Sequence, residues 1–147
     1  MIVSVADGSV WAIVKVLVLS VPGKIFLASI LAPSSNVIEL KDSNIKSEGD
    51  LILKFLNNKD FVVTMEIGGK NLSSTELAEL IDKTFINYPS ITFIIGGSDG
   101  IDPRVLEKSN YRLSFGRNTY PHGVFRCLLL EQIYRSFKIL NNESYHK

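Results

Sequence analysis

One stretch narrows the possible folds more than any other. Ile91–Ile95 is a five-residue, mostly apolar run that stops at Gly96-Gly97-Ser98-Asp99-Gly100, and Asp102-Pro103 follows almost at once. A short apolar run bounded by glycines reads as a strand. Asp-Pro reads as an N-cap with proline at the first helical position. A strand that ends in glycines and feeds a helix leaves bare backbone N–H groups at the carboxyl end of a sheet, where open α/β folds take nucleotide-like ligands. The same glycines also serve a tight turn that needs positive φ, and a short glycine pattern alone favours that simpler use.

The next segment weighs on the side of a ligand. Tyr111–Phe115 alternates as a strand, Gly116–Pro121 forms a loop, and a helix is expected over His122–Leu140. If the two strands are neighbours, the loop and the glycine turn face one ligand. On the helix, His122 and Arg126 share a face near its start. Glu131 and Arg135 form an i,i+4 pair best read as a surface salt bridge. Phe125, Leu128, Leu129, Leu130, Ile133 and Phe137 spread around most of the circumference, which predicts burial on nearly every side, with a second copy of the chain as one cover.

Upstream, strands and helices alternate. Ala12–Leu19 reads as a buried strand, Ile25–Leu31 as a short helix stopped by Pro33, and Val37–Leu40 as a second short strand. Glu48 and Asp50 after Ser47 place acids in the first turn of a helix ending near Leu56. Phe61–Ile67 is a strand rich in β-branched residues, closed by Gly68-Gly69. Ser73 with Glu76 forms a capping box, which Leu72 and Leu77 can staple, for a helix running to about Asn87 before Pro89. This order predicts one α/β domain over residues 1–147, with a parallel sheet covered on both faces.

A chain of 147 residues, 46% hydrophobic and 21% charged, is long enough for one real core. The net charge of +1 decides nothing, but its distribution is uneven. All five arginines lie from Arg104 onward, where eight cations face three glutamates; the residues before carry twelve acids against eight lysines. The arginine fork suits phosphate, although a solvated face with local ion pairs would give the same count. The single Cys127 excludes an intrachain disulfide or CxxC metal site. The apolar run Trp11–Val21 is too short to span a bilayer, and Asp7 ahead of it does not suit a signal peptide. A cytoplasmic protein without metal or membrane partners is therefore expected. No GxGxxG follows the first strand, which counts against a dinucleotide oxidoreductase.

The segments IGGSDG, SNYRLSF, PHGVFRCLLLEQIYRSFKI and the terminal YHK, with Glu48-Gly49, VTMEIGGK and LSS upstream, resemble the RlmH family of SPOUT-class methyltransferases. The resemblance is continuous from about Lys46 to the last residue. It implies a homodimeric α/β fold with a C-terminal trefoil knot. It also implies S-adenosylmethionine as methyl donor and N3 of a pseudouridine in 23S rRNA as acceptor, in the large subunit or the 70S ribosome. Cofactor contacts are implied for Met65, Gly96 and the loop Phe115, Gly116, Arg117, Asn118, Thr119 and Tyr120. His122, Arg126, Tyr145 and His146 are expected around the target base, with the tail reaching across the dimer interface and His146 handling the proton. Arg104, Arg112, Arg135 and Lys147 are expected on RNA. Residues 1–35 depart from the family pattern: Met1–Val10 reads as an extension, and only a brief apolar segment follows Gly23-Lys24. A ribosome-binding relative without activity and a nucleotide-binding enzyme of another class are the alternatives.

Overall fold

Six consecutive buried residues, Ser90–Ile95, can only be satisfied between two layers of other elements, and the fold is built around them. The computed structural model describes residues 11–17, 35–40, 43–97 and 99–145. Its elements are β1 (Trp11–Leu17), β2 (Ser35–Leu40), α1 (Ile45–Phe55), β3 (Asp60–Asn71), α2 (Ser74–Phe85), β4 (Ser90–Ile95), α3 (Pro103–Leu106), β5 (Tyr111–Ser114) and α4 (His122–Leu140). The expected extension over residues 1–10 and the expected helix over Ile25–Leu31 lie outside the described residues.

The sheet order is β2-β1-β4-β3-β5. β3 runs parallel to both β4 and β5, with Met65 beside Ile95 and Leu113. β1 runs antiparallel to β2 and to β4, so the sheet is mixed rather than wholly parallel as expected. Alternating apolar residues specify a strand and its buried face but not its direction, which is why the sequence misled here.

Side-chain alternation divides the core in two. Val63 and Met65 of β3 with Ile91, Phe93 and Ile95 of β4 pack beneath Leu77 and Ile81 of α2 and Leu129, Ile133 and Phe137 of α4. Val62 and Ile94 point the other way, against Ile52, Ile101 and Val105, which come from α1, α3 and the segment before it. At roughly 1.5–3 kcal/mol for each large apolar side chain fully buried, these two layers supply the main favourable term of folding.

The helix starts follow local chemistry. Ser73 Oγ accepts from Glu76 N at 3.2 Å while Glu76 Oε2 accepts from Ser73 N at 2.8 Å, which is the anticipated capping box. The backbone and hydroxyl of Ser73 hold the Glu76 carboxyl below its ordinary range. α1 starts at Ile45 with Asn44 as its N-cap, so of the two expected acids Glu48 lies in the first turn: Asn44 Oδ1 accepts from Ser47 N at 2.9 Å. Glu48 is almost wholly buried in the first turn, and its Oε1 accepts from Ser43 N at 2.7 Å.

β3 outruns its expected end at Ile67. Leu113 of β5 pairs with Met65 and again with Lys70, so Glu66–Gly69 stands out from the ladder as an arch. A Cβ on Gly69 would come within 2.7 Å of the Leu113 backbone and 2.9 Å of that of Arg112, so only glycine lets the returning chain pass. α4 also differs from expectation. Leu129, Ile133, Ser136 and Phe137 are buried, but Val124 is 50% exposed, and Cys127 and Leu128 lie exposed beside it at helical spacing. Among the described residues the uncovered strip is confined to the first two turns of the helix; no position from Leu129 to Leu140 is exposed.

Candidate functional site

Because β4, β3 and β5 are parallel and adjacent, their carboxyl ends open together at one side of the sheet. A cavity of about 410 Å³ lies there, within the roughly 300–1,000 Å³ common for small-ligand sites. Met65 and Glu66 reach it from β3, Ile95 and the glycine turn from β4, and Ser114 with most of the following loop from β5. Of the eight expected cofactor residues, Met65, Gly96, Phe115, Gly116, Asn118, Thr119 and Tyr120 line it; Arg117 is exposed and does not. His122, at the first position of α4, also faces it, as does Phe125.

The glycines are accounted for first by the tight turn and by space, and the same turn lines the cavity. Gly100 has φ +90°, and its N–H donates to Gly97 O at 3.1 Å, closing a tight turn. Gly96 is needed for space: a Cβ there would stand 2.6 Å from Ile101 Cγ1. The helix start beyond it is not an open anion site. Asp102 caps α3 itself, accepting from Arg104 N at 2.8 Å, and its Oδ2 takes Arg104 Nη2 at 2.6 Å. Arg104 Nη1 continues to Asp50 Oδ1 at 2.7 Å and Nη2 to Lys46 O at 3.1 Å, so this arginine clamps α3 to α1. The clamp holds the Asp102 carboxyl below its ordinary range and raises the guanidinium further. It also explains Glu48-Gly49, since Gly49 packs directly against Asp102.

The loop after β5 is set by Ser114, which is almost fully buried. Its Oγ accepts from Gly116 N at 3.2 Å and lies 3.1 Å from the Ile67 and Gly116 carbonyl oxygens, joining the loop to the arch of β3. Gly116, at φ +111°, makes the bend that a side chain would strain. The Phe125 ring then packs at a tilt against both Phe115 and Tyr120, with centroids 5.6 and 6.1 Å away.

The other expected residues are spread along the molecule. Tyr145 lies past the end of α4, and 19 helical residues rise about 28 Å. One chain therefore does not bring Tyr145 to His122. Tyr145 instead rests on its own helix: its ring meets Tyr134 edge-on at 4.9 Å, and the Arg135 guanidinium lies 4.8 Å above it. Arg135 is bound to Glu131, the anticipated i,i+4 pair, which raises its proton affinity. Arg104 and Arg135 thus hold carboxylates that a phosphate would have to displace. Arg112 is more open, 59% exposed with Glu66 Oε1 at 3.7 Å from its Nε. Arg126 sits one turn beyond His122 and does not line the cavity. His146 and Lys147 lie outside the described residues.

Sequence reasoning missed Glu66, Ser114, Ile101 and Leu106 as cavity residues. A lone acid or serine in a strand carries no signal of its own; the arch and the parallel neighbours give these residues their place. Among the described residues no group of His, Cys, Asp and Glu could hold a metal ion, and no helix is long and apolar enough to cross a membrane.

The lining suits an adenosyl ligand: the backbone of Gly96, Gly97, Gly100 and Gly116, several apolar side chains, and a few polar groups such as Glu66, Asn118 and Thr119. Fold and site together define an α/β methyltransferase of the SPOUT class. Residues 18–146 match the family described as "Predicted SPOUT methyltransferase", and the chain belongs to that family. Its relatives include "Ribosomal RNA large subunit methyltransferase H" of Carboxydothermus hydrogenoformans, 46% identical over 125 residues and covering 76% of this chain and 79% of the relative. The protein of the same name from Clostridium botulinum strain 657 is 47% identical over 111 residues, covering 74% of this chain and 70% of the relative.

Proposed function

We propose that this chain methylates N3 of a pseudouridine in 23S rRNA of the large ribosomal subunit, using S-adenosylmethionine, in the cytoplasm and on assembled ribosomes. The observation that carries the reading is the single cavity joining the end of β3, the glycine turn and the Phe115–Tyr120 loop. Family membership and the names of the relatives support the same reaction.

S-adenosylmethionine, when bound, supplies a methyl group already activated by its sulfonium. The chain has then to align the acceptor, exclude water and remove one proton from a weakly acidic imide nitrogen. Met65, Gly96 and the loop residues Phe115, Gly116, Asn118, Thr119 and Tyr120 hold the donor, while Ile95, Ile101 and Phe125 keep its surroundings dry. His122 stands at the cavity edge, where it can orient the base.

The distance between His122 and Tyr145 supports a homodimer in which the tail of one protomer completes the site of the other. Val124, Cys127 and Leu128 offer an uncovered apolar strip on α4 for such a partner. Arg126, Tyr145 and His146 then surround the base, with His146 accepting its proton. Arg104, Arg112, Arg135 and Lys147 meet phosphates, Arg112 with the least rearrangement.

The test is transfer of labelled methyl from S-adenosylmethionine to 70S particles, 50S subunits and naked 23S rRNA, with the modified nucleoside identified by mass spectrometry. N3-methylpseudouridine formed on ribosomes is the expected product. Binding of particles without transfer would establish a non-catalytic relative instead. An unchanged single-turnover rate in His146→Ala would remove that histidine from proton transfer.

A further inference from the structure

Glu66 is the one carboxylate lining the cavity among the described residues. It is held rather than free: buried Thr64 Oγ1 donates to its Oε1 at 2.7 Å, and Thr64 is in turn 2.8 Å from Ser109 Oγ. Arg112 Nε stands 3.7 Å from the same Oε1. Oε2 accepts from no described residue. A carboxylate held through one oxygen, on a residue that lines the cavity, is an acceptor prepared for a ligand's donor.

Topology selects which donor. β3 is the middle of the three strands, flanked by β4 with its glycine turn and β5 with its loop, so Glu66 enters the cavity lining between those two segments. In an adenosyl ligand the central group is the ribose, with the base on one side and the aminoacyl chain on the other. Carboxylates at the carboxyl end of a parallel strand recognise ribose hydroxyls in nucleotide folds for the same geometric reason.

We infer that Glu66, positioned by Thr64, accepts the ribose hydroxyls of the adenosyl ligand and makes the site specific for ribose. This rests on the S-adenosylmethionine reading above and assigns a residue within it. The arch from Glu66 to Gly69 thereby acts as a sugar-reading element separate from the backbone groups that take the base.

Isothermal titration with S-adenosylhomocysteine, its 2′-deoxy and 3′-deoxy forms, and 5′-methylthioadenosine tests the assignment without any turnover. Wild-type protein should bind at least one deoxy form about tenfold or more weakly, since hydrogen bonds to a charged acceptor carry at least that factor. E66A should bind S-adenosylhomocysteine and 5′-methylthioadenosine about tenfold or more weakly and should no longer distinguish the deoxy forms. E66Q keeps the side-chain volume and serves if E66A does not fold; it should show reduced discrimination. A folded variant with wild-type discrimination overturns the assignment. So does a loss confined to S-adenosylhomocysteine, which would place the carboxylate on the ammonium end. A wild type that binds ribose and deoxyribose ligands equally refutes the role of Glu66 alone. A wild type that binds no adenosyl compound refutes the cofactor reading itself.

Discussion

Gly49→Ala sets two effects against each other, and the structure decides between them. Gly49 lies within α1, where alanine gains about 1 kcal/mol of helix propensity over glycine. From the helix alone the variant should be more stable. The new Cβ, however, would stand 2.6 Å from Asp102 Cβ and Cγ and closer still to Oδ2. That is roughly 1 Å inside the usual carbon contact of about 3.5–4.0 Å. Asp102 has little freedom to retreat: it caps α3 through Arg104 N and is tied by Arg104 back to Asp50 on α1. Overpacking of this kind costs about 1–3 kcal/mol, and a tethered neighbour places it near the upper end. The net expectation is a loss of about 2 kcal/mol, lowering the midpoint by roughly 4–8 °C for a domain of this size. Urea and thermal unfolding followed by circular dichroism measure it. Gly123→Ala is the control: its Cβ meets no described atom within 4 Å, and it should gain up to about 1 kcal/mol. A Gly49→Ala protein as stable as wild type would refute the argument that Asp102 fixes the spacing of α1 and α3.

Gly96→Ala should keep the fold but weaken S-adenosylhomocysteine binding by at least about tenfold, because its Cβ displaces Ile101 into the cavity; calorimetry reads this directly. Ser114→Ala should cost about 1–3 kcal/mol by removing the hydroxyl that Gly116 N and the carbonyl of Ile67 share, and should speed amide exchange at Gly116. The pH dependence follows from Asp102, whose folded carboxyl is held below its ordinary range first by Arg104. Its contribution is complete above the unfolded value of about 3.9 and is lost as pH falls toward the lower folded value. Urea midpoints should therefore stay level with respect to this group from neutrality down to about pH 5 and fall in stronger acid. Asp102→Asn should remove that share of the decline.

Where the chain's own chemistry is local, the sequence was a good guide. The capping box at Ser73, the strand ending at Gly96 and the helix from His122 to Leu140 all depend on neighbours within a few residues. The direction of β1 was hidden, because alternation looks the same read either way. The start of α1 at Asn44 was not evident, because the acids after Ser47 suit a first turn there as well. The apolar girth of α4 was visible, but not that Val124, Cys127 and Leu128 would face away from the chain's own core. Most of the expected cofactor residues do line one cavity, whereas Glu66 became visible only through its arch and its hydrogen bond to Thr64. The arginine excess likewise gave no warning that Arg104 and Arg135 are occupied by carboxylates.

The double pairing of Leu113 has a consequence for how such a site can change over time. Both feet of Glu66–Gly69 rest on the same rung of the neighbouring strand, so the segment is attached like a handle. What the handle carries is free to vary without unzipping the ladder beneath it. Ligand preference can then drift by substitution at its crown while the one glycine-dependent crossing, at Gly69, stays under strict steric selection.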